Sequence, residues 1–163
     1  MINKIKSFYS LYSNNCSLVV DCRGDSPAIL YWGSRLANTT SPDILALLAT
    51  SQELQASLPQ EAPIGLSPQS AAGFSGSPGV QLHRDGFQWA VYTRIESVSL
   101  IDNKLTIVSI CQGTQTQLIH CLALGYKTDV LAATTEIVNM GESSLWLNRC
   151  DAPCVPIPKH YSK

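Results

Sequence analysis

Three histidines, six cysteines and twelve acidic residues are the side chains here that could move protons, ligate a metal or attack an electrophile. Hydrolysis by two carboxylates needs a pair held across a cleft. Asp21, Asp25, Asp85 and Asp102 instead sit beside turn formers, where Asp bonds its own backbone. Serine chemistry at a nucleophile elbow needs G-x-S-x-G, and Gly73-Phe74-Ser75-Gly76 has the wrong spacing. Cys150, Cys154 and His160 could offer three zinc ligands, but the spacing matches no common knuckle and a fourth ligand is missing. The glycines of 73–79 lead into a strand pattern, so they lack the helix N-terminus that cradles phosphate. His83, His120 and His160 are scattered and read as structural. No catalytic residue, metal or cofactor is expected from these patterns.

Aromatic rings remain as candidate binding groups, because the apolar faces of sugars stack on them. Trp89 and Trp146 read as core. Trp32 reads first as core too, but it is the best exception, because it lies at a strand end beside Gly33 and Arg35. Tyr31, Trp32 and Arg35 are therefore the candidate substrate-binding residues.

These residues sit in 163 residues, enough for one domain with a real core. At 45% hydrophobic and 14% charged the chain is globular rather than disordered. A net charge of −1 gives no electrostatic case for nucleic acid or a membrane surface, and no apolar run is long enough to span a bilayer. Lys4 and Lys6 mimic the start of an export signal, but Ser7 to Asn15 is too polar to continue one, which implies a cytoplasmic protein. The sequons at Asn15 and Asn38 are then silent, and the six cysteines read as reduced structural thiols.

The elements follow from periodicity. Met1 to Tyr12 is a lead-in with little pattern. Ser17–Cys22 and Ala28–Trp32 are strands joined into a hairpin by Arg23–Pro27. Ser41–Leu48 is the one short helix, with Ser41 as N-cap, Pro42 in the first turn and Ile44, Leu45, Leu47 and Leu48 as its apolar face. Pro59–Gly79 is rich in Pro and Gly, yet carries Leu66 and Phe74, so it reads as an ordered loop rather than a linker.

From Val80 strands come in series. Val80–Arg84 and Phe87–Ile95 flank Asp85-Gly86, a strong hairpin signal, with Phe87, Trp89, Val91, Thr93 and Ile95 on the buried face. Ser97–Ile101, Lys104–Cys111, Gln117–Leu124, Val130–Asn139 and Ser144–Asn148 follow. Spacings of about ten residues predict an all-β, antiparallel sandwich with one short helix.

The segment LYWGSRL (Leu30–Leu36) resembles the YWG strand of bacterial α-galactosidases of glycoside hydrolase family 36. SGSPGVQLHRDG (Ser75–Gly86), TDVLAATTEIVNMGESSLWL (Thr128–Leu147) and CVPIPKHY (Cys154–Tyr161) follow in the order that family shows. The resemblance implies that 1–163 is a single N-terminal β-sandwich domain, supersandwich-like and incomplete. The catalytic barrel with its two aspartates is absent. The parent reaction would be retaining hydrolysis of terminal α-galactosides, with this piece inactive alone. Its implied partners are the barrel, further copies of itself and, in the full-length context, a galactoside. The family's Asp-Phe-Arg segment before Pro-Ala is missing; Phe74-Ser75-Gly76-Ser77 precedes Pro78-Gly79 instead. An independent carbohydrate-binding or protein-interaction sandwich is the alternative.

Overall fold

In the computed structural model, residues 7–37, 41, 44, 45, 47 and 64–156 are described. Among the described residues, nine strands form three antiparallel sheets. The first holds β1 (Phe8–Tyr12), β2 (Cys16–Asp21) and β3 (Ala28–Ser34) in that order. The expected β2–β3 hairpin forms, and Asp21 closes its turn by accepting from the Arg23 backbone N–H (2.9 Å), Nε (3.0 Å) and Nη2 (2.9 Å). Those bonds hold the Asp21 carboxyl below the usual range even though its partial burial pushes the other way.

The lead-in contains an element that the sequence pattern hid. Phe8–Tyr12 pairs along its whole length with β2. Its serines blur the alternation; the strand exists because β2 offers an edge, and Leu11 then becomes fully buried.

The largest sheet is a meander of β5 (Arg94–Ile101), β6 (Lys104–Cys111), β7 (Thr116–Leu124) and β8 (Leu131–Asn139). Alternation along β6 puts Leu105, Ile107 and Ser109 inside. Asp102 and Asn103 both take positive φ (49° and 61°), the primed turn whose twist suits a hairpin. Asn103 also bridges the sheets. Its side chain accepts from Tyr12 N–H (2.9 Å) and donates to Tyr12 O (2.8 Å) and Leu124 O (2.5 Å).

The buried face of the meander is covered in two parts. Leu105, Ile107, Leu122 and Leu124 meet Leu11, Leu18, Val20 and Cys22 of the first sheet, with Leu66. Leu118 and Ile137 meet Val80, Leu82 and Val91. Val80 and Leu82 belong to β4 (Val80–His83), which pairs with β9 (Trp146–Cys150) as a two-stranded ribbon. The result is the expected β-sandwich, one large sheet faced by two smaller ones.

The β4 partner corrects the sequence reading. Asp85-Gly86 does form a tight turn, with φ of 47° and 79°, and Arg84 and Phe87 exchange both backbone bonds (2.9 and 2.7 Å). Pairing stops at that single bridge. Gln88 takes φ 52°, and 88–93 crosses to the other sheet as an unpaired link. Val91 and Thr93 are buried as expected, but Phe87 and Trp89 are 74% and 69% exposed. A turn is a local decision, whereas the partner of a strand is decided by what else reaches its edge; here β9 does. For the expected helix, Ser41 caps as predicted: Ile44 N–H donates to its Oγ (3.3 Å) and Leu45 N–H to its carbonyl (3.2 Å). Leu45 is buried while Ile44 and Leu47 are exposed, and the rest of 41–48 lies outside the described residues.

Arg84 joins ribbon to meander. Its buried guanidinium donates to Thr114 O (3.1 Å), Gln115 O (3.4 Å), Ser143 O (2.5 Å), Ser143 Oγ (3.1 Å) and Asn139 Oδ1. A Cβ added at Gly141 would lie 2.6 Å from Arg84 Nη2 and 2.7 Å from Gln115 Oε1, so the hydrogen-bonded guanidinium would have to shift to admit it. Removing the guanidinium leaves the buried Thr114 carbonyl without this donor, at a cost of about 1–3 kcal/mol, and frees the part-buried oxygens of Gln115, Asn139 and Ser143. Arg84→Met is expected to lower unfolding stability by about 1–3 kcal/mol in urea melts, and Gly141→Ala to shift the midpoint the same way. Wild-type midpoints for both would refute this role.

His120 lies on β7 between Leu118 of one core cluster and Leu122 of the other, and its Nδ1 meets Thr135 Oγ1 at 3.1 Å. Burial pushes its pKa down to about 4 from an ordinary 6.5. Between those values the unfolded chain binds a proton that the folded chain refuses. Its contribution is therefore complete above pH 6.5 and is lost as pH falls towards 4. Stability is expected to drop by roughly 3 kcal/mol across that window, measured by denaturant melts at each pH. His120→Leu should flatten that slope; an unchanged slope would disprove the assignment.

Candidate functional site

The loop over 64–79 is ordered by backbone bonds from every side. Leu66 N–H donates to Pro27 O (2.8 Å), Cys154 N–H to Leu66 O (2.7 Å), Gly79 N–H to Pro68 O (2.9 Å) and Asp151 N–H to Gly79 O (2.8 Å). The loop reading thus holds over the described part of Pro59–Gly79. One 3-10 turn, Ser70–Ala72, ends at Gly73 in the left-handed region, φ 91°. Gln69, just before it, is buried. Its Nε2 donates to Thr93 Oγ1 (2.6 Å) and its Oε1 accepts from Thr93 N–H (2.8 Å). That pair fastens the loop to the 88–93 link.

Between loop, link and ribbon lies a cavity of about 550 Å³. The loop contributes Gln69, Ser70, Ala71 and Pro78; β4 contributes Val80 to His83; the link contributes Trp89 to Val91; β9 contributes Asn148. No charged side chain lines it. His83 Nδ1 accepts from Gly86 N–H at 3.1 Å. The neutral imidazole therefore carries its proton on Nε2, as a donor. Trp146 stacks on that ring, with centroids 6.3 Å apart and planes 15° apart.

A second cavity, about 430 Å³, is lined by Tyr92, Arg94, Glu96 and Gln112 among others. Asp25 engages its rim: Tyr92 Oη donates to Asp25 Oδ2 (3.2 Å), and Arg94 Nε lies 3.5 Å from that oxygen. The pair is exposed, so it adds little stability.

The predicted binding residues lie elsewhere. Tyr31 and Trp32 are on β3, Arg35 just after it. Tyr31 Oη donates to Ser34 O (2.7 Å), and Trp32 packs half-buried on the larger core cluster. Arg35 Nη1 donates to Ser13 O (2.7 Å), with its guanidinium 6.0 Å above the Tyr12 ring. None of the three lines either cavity. Trp89 and Trp146, read as core, are exposed instead. No local signal marked them, because Trp89 sits in an alternating run whose pairing does not form.

Burial raises the Cys22 thiol to about 12, which keeps it protonated and inert. All six cysteines are free; Cys22 and Cys111 are buried, Cys150 and Cys154 exposed. Among the described residues no three His, Cys, Asp or Glu side chains gather to hold a metal ion, and His160 of the zinc candidate lies outside them. Among the same residues no helix is long and apolar enough to cross a membrane.

No curated protein matches the chain. Among solved structures, the galactosidase domain of the alpha-galactosidase-sucrose kinase AgaSK superposes with a TM-score of 0.74 at 14% identity, covering 95% of this chain and 25% of that one. The GH36 alpha-galactosidase AgaB from Geobacillus stearothermophilus gives 0.69 at 16%, covering 94% and 24%. A variant of AgaA from the same organism, in complex with raffinose, gives 0.68 at 16%, covering 90% and 24%. The chain thus spans about a quarter of each, and at these identities the likeness establishes the fold. Residues 25–162 match the glycosyl hydrolase family 36 N-terminal domain. That match takes in β3 through β9 and the loop between them, and the chain belongs to this family.

Proposed function

We propose that this chain is the N-terminal β-domain of an α-galactosidase-type enzyme that hydrolyses terminal α-galactosides with retention, in the cytoplasm. The observation that carries this reading is the family match over 25–162. The reaction itself falls to a catalytic barrel, which supplies the aspartate nucleophile and the aspartate acid/base. This domain packs on that barrel and on further copies of itself, and is inactive alone. Tyr31, Trp32, Arg35 and the 63–79 loop border the sugar pocket of the assembled enzyme. The cavity linings favour a supporting role: the larger has no carboxylate, and the smaller holds Glu96 beside Arg94. Two carboxylates across a cleft, which retaining hydrolysis requires, do not meet in either.

The test is a chimera in which this chain replaces the N-terminal quarter of AgaB. The chimera is expected to hydrolyse p-nitrophenyl α-galactoside, and the chain alone to leave it intact. Light scattering should show the chimera as an oligomer. A folded, soluble chimera that neither hydrolyses the substrate nor associates would overturn the reading, as would hydrolysis by the chain alone.

A further inference from the structure

We propose that the cavity between the 64–79 loop and the β4–β9 ribbon is a binding site for a neutral saccharide. The sugar lies against the Trp89 indole and is held by the Gln81 and Asn148 amides and the Nε2–H of His83. The cavity's volume of about 550 Å³ is in the range of small-molecule sites and admits one or two sugar rings. Its lining carries no charge, so it offers nothing to compensate a phosphate or carboxylate once water is removed.

The polar groups are of a kind that suits hydroxyls. An amide presents a donor and an acceptor side by side, matching two neighbouring hydroxyls. Neither the Gln81 nor the Asn148 amide is engaged by another described residue, whereas Gln69 has spent both its amide atoms on Thr93. The His83 donor is fixed twice over, its tautomer by Gly86 N–H and its plane by the stacked Trp146. Trp89 keeps 69% of its surface in contact with solvent, a large apolar cost that a sugar's C–H face would relieve. The floor is rigid, because Gln69–Thr93 ties the loop to the link. Binding thus needs little reordering.

This site is separate from Tyr31, Trp32 and Arg35. It shares the 64–79 loop with the α-galactosidase reading, and rests on that reading for the choice of galactosides as probes. The full chain is titrated with galactose and with raffinose, read by tryptophan fluorescence and by calorimetry. Saturable binding is expected, weakened at least about tenfold by Trp89→Ala and several-fold by Gln81→Ala or Asn148→Ala. Galacturonate should bind more weakly than galactose. The exposed position of Trp89 predicts an unchanged melting midpoint; should that variant unfold, the two amide variants decide. No saturation up to about 100 mM sugar, a Kd weaker than any useful site, overturns the proposal. So does binding that the Trp89, Gln81 and Asn148 variants leave intact. Self-association that Trp89→Ala abolishes and sugar cannot displace assigns the surface to a second copy and equally overturns it. An inactive chimera together with saturable binding would sink the enzyme reading and leave this site standing.

Discussion

A guanidinium buried without a carboxylate ties the ribbon of this domain to its meander. Arg84 stands where β4 ends, and its donors reach the β6–β7 turn at Thr114 and Gln115 and the β8–β9 connection at Asn139 and Ser143. Taking a charge out of water is costly unless its hydrogen bonds are replaced. Here backbone carbonyls replace them, so the three segments must arrive together for the charge to be tolerated. The ribbon, the crossing link and the cavity between them all inherit their placement from that condition.

The other contacts between layers follow a related rule with neutral groups. Sheets in a sandwich share no ladder, so the hydrophobic contact between them does not by itself fix how one sits over the other. Asn103 supplies the missing direction at one end by bonding the Tyr12 backbone as a strand would. Gln69 does the same for the loop through Thr93. Amides serve well because each has a donor and an acceptor and needs no counter-charge when buried.

The same fold recurs in α-galactosidases at 14–16% identity. What is shared at that identity is the fold, and a fold tolerates wide substitution so long as volume and the pattern of apolar residues are kept. Function is more demanding, since it depends on particular side chains at particular places. In this chain Phe87, Trp89 and Trp146 lie exposed at the ribbon and link, with uncharged hydrogen-bonding groups beside them.

The sequence by itself determined the elements that local chemistry dictates. The runs at 104–111 and 117–124 set two strands. Asp102-Asn103 and Asp85-Gly86 set two turns, because positive φ at both centres suits few other residues. Ser41 marked a cap, and the order of four segments from Leu30 onward pointed to the family. Only the tertiary structure decided partners. β1 became a strand because β2 had a free edge, and β4 took β9 rather than the segment after its own turn. That choice left Trp89 and Trp146 exposed and drew the cavity away from Tyr31, Trp32 and Arg35. Partner choice depends on residues more than sixty positions apart, and a periodic pattern records which face of a strand is apolar, not which strand will cover it.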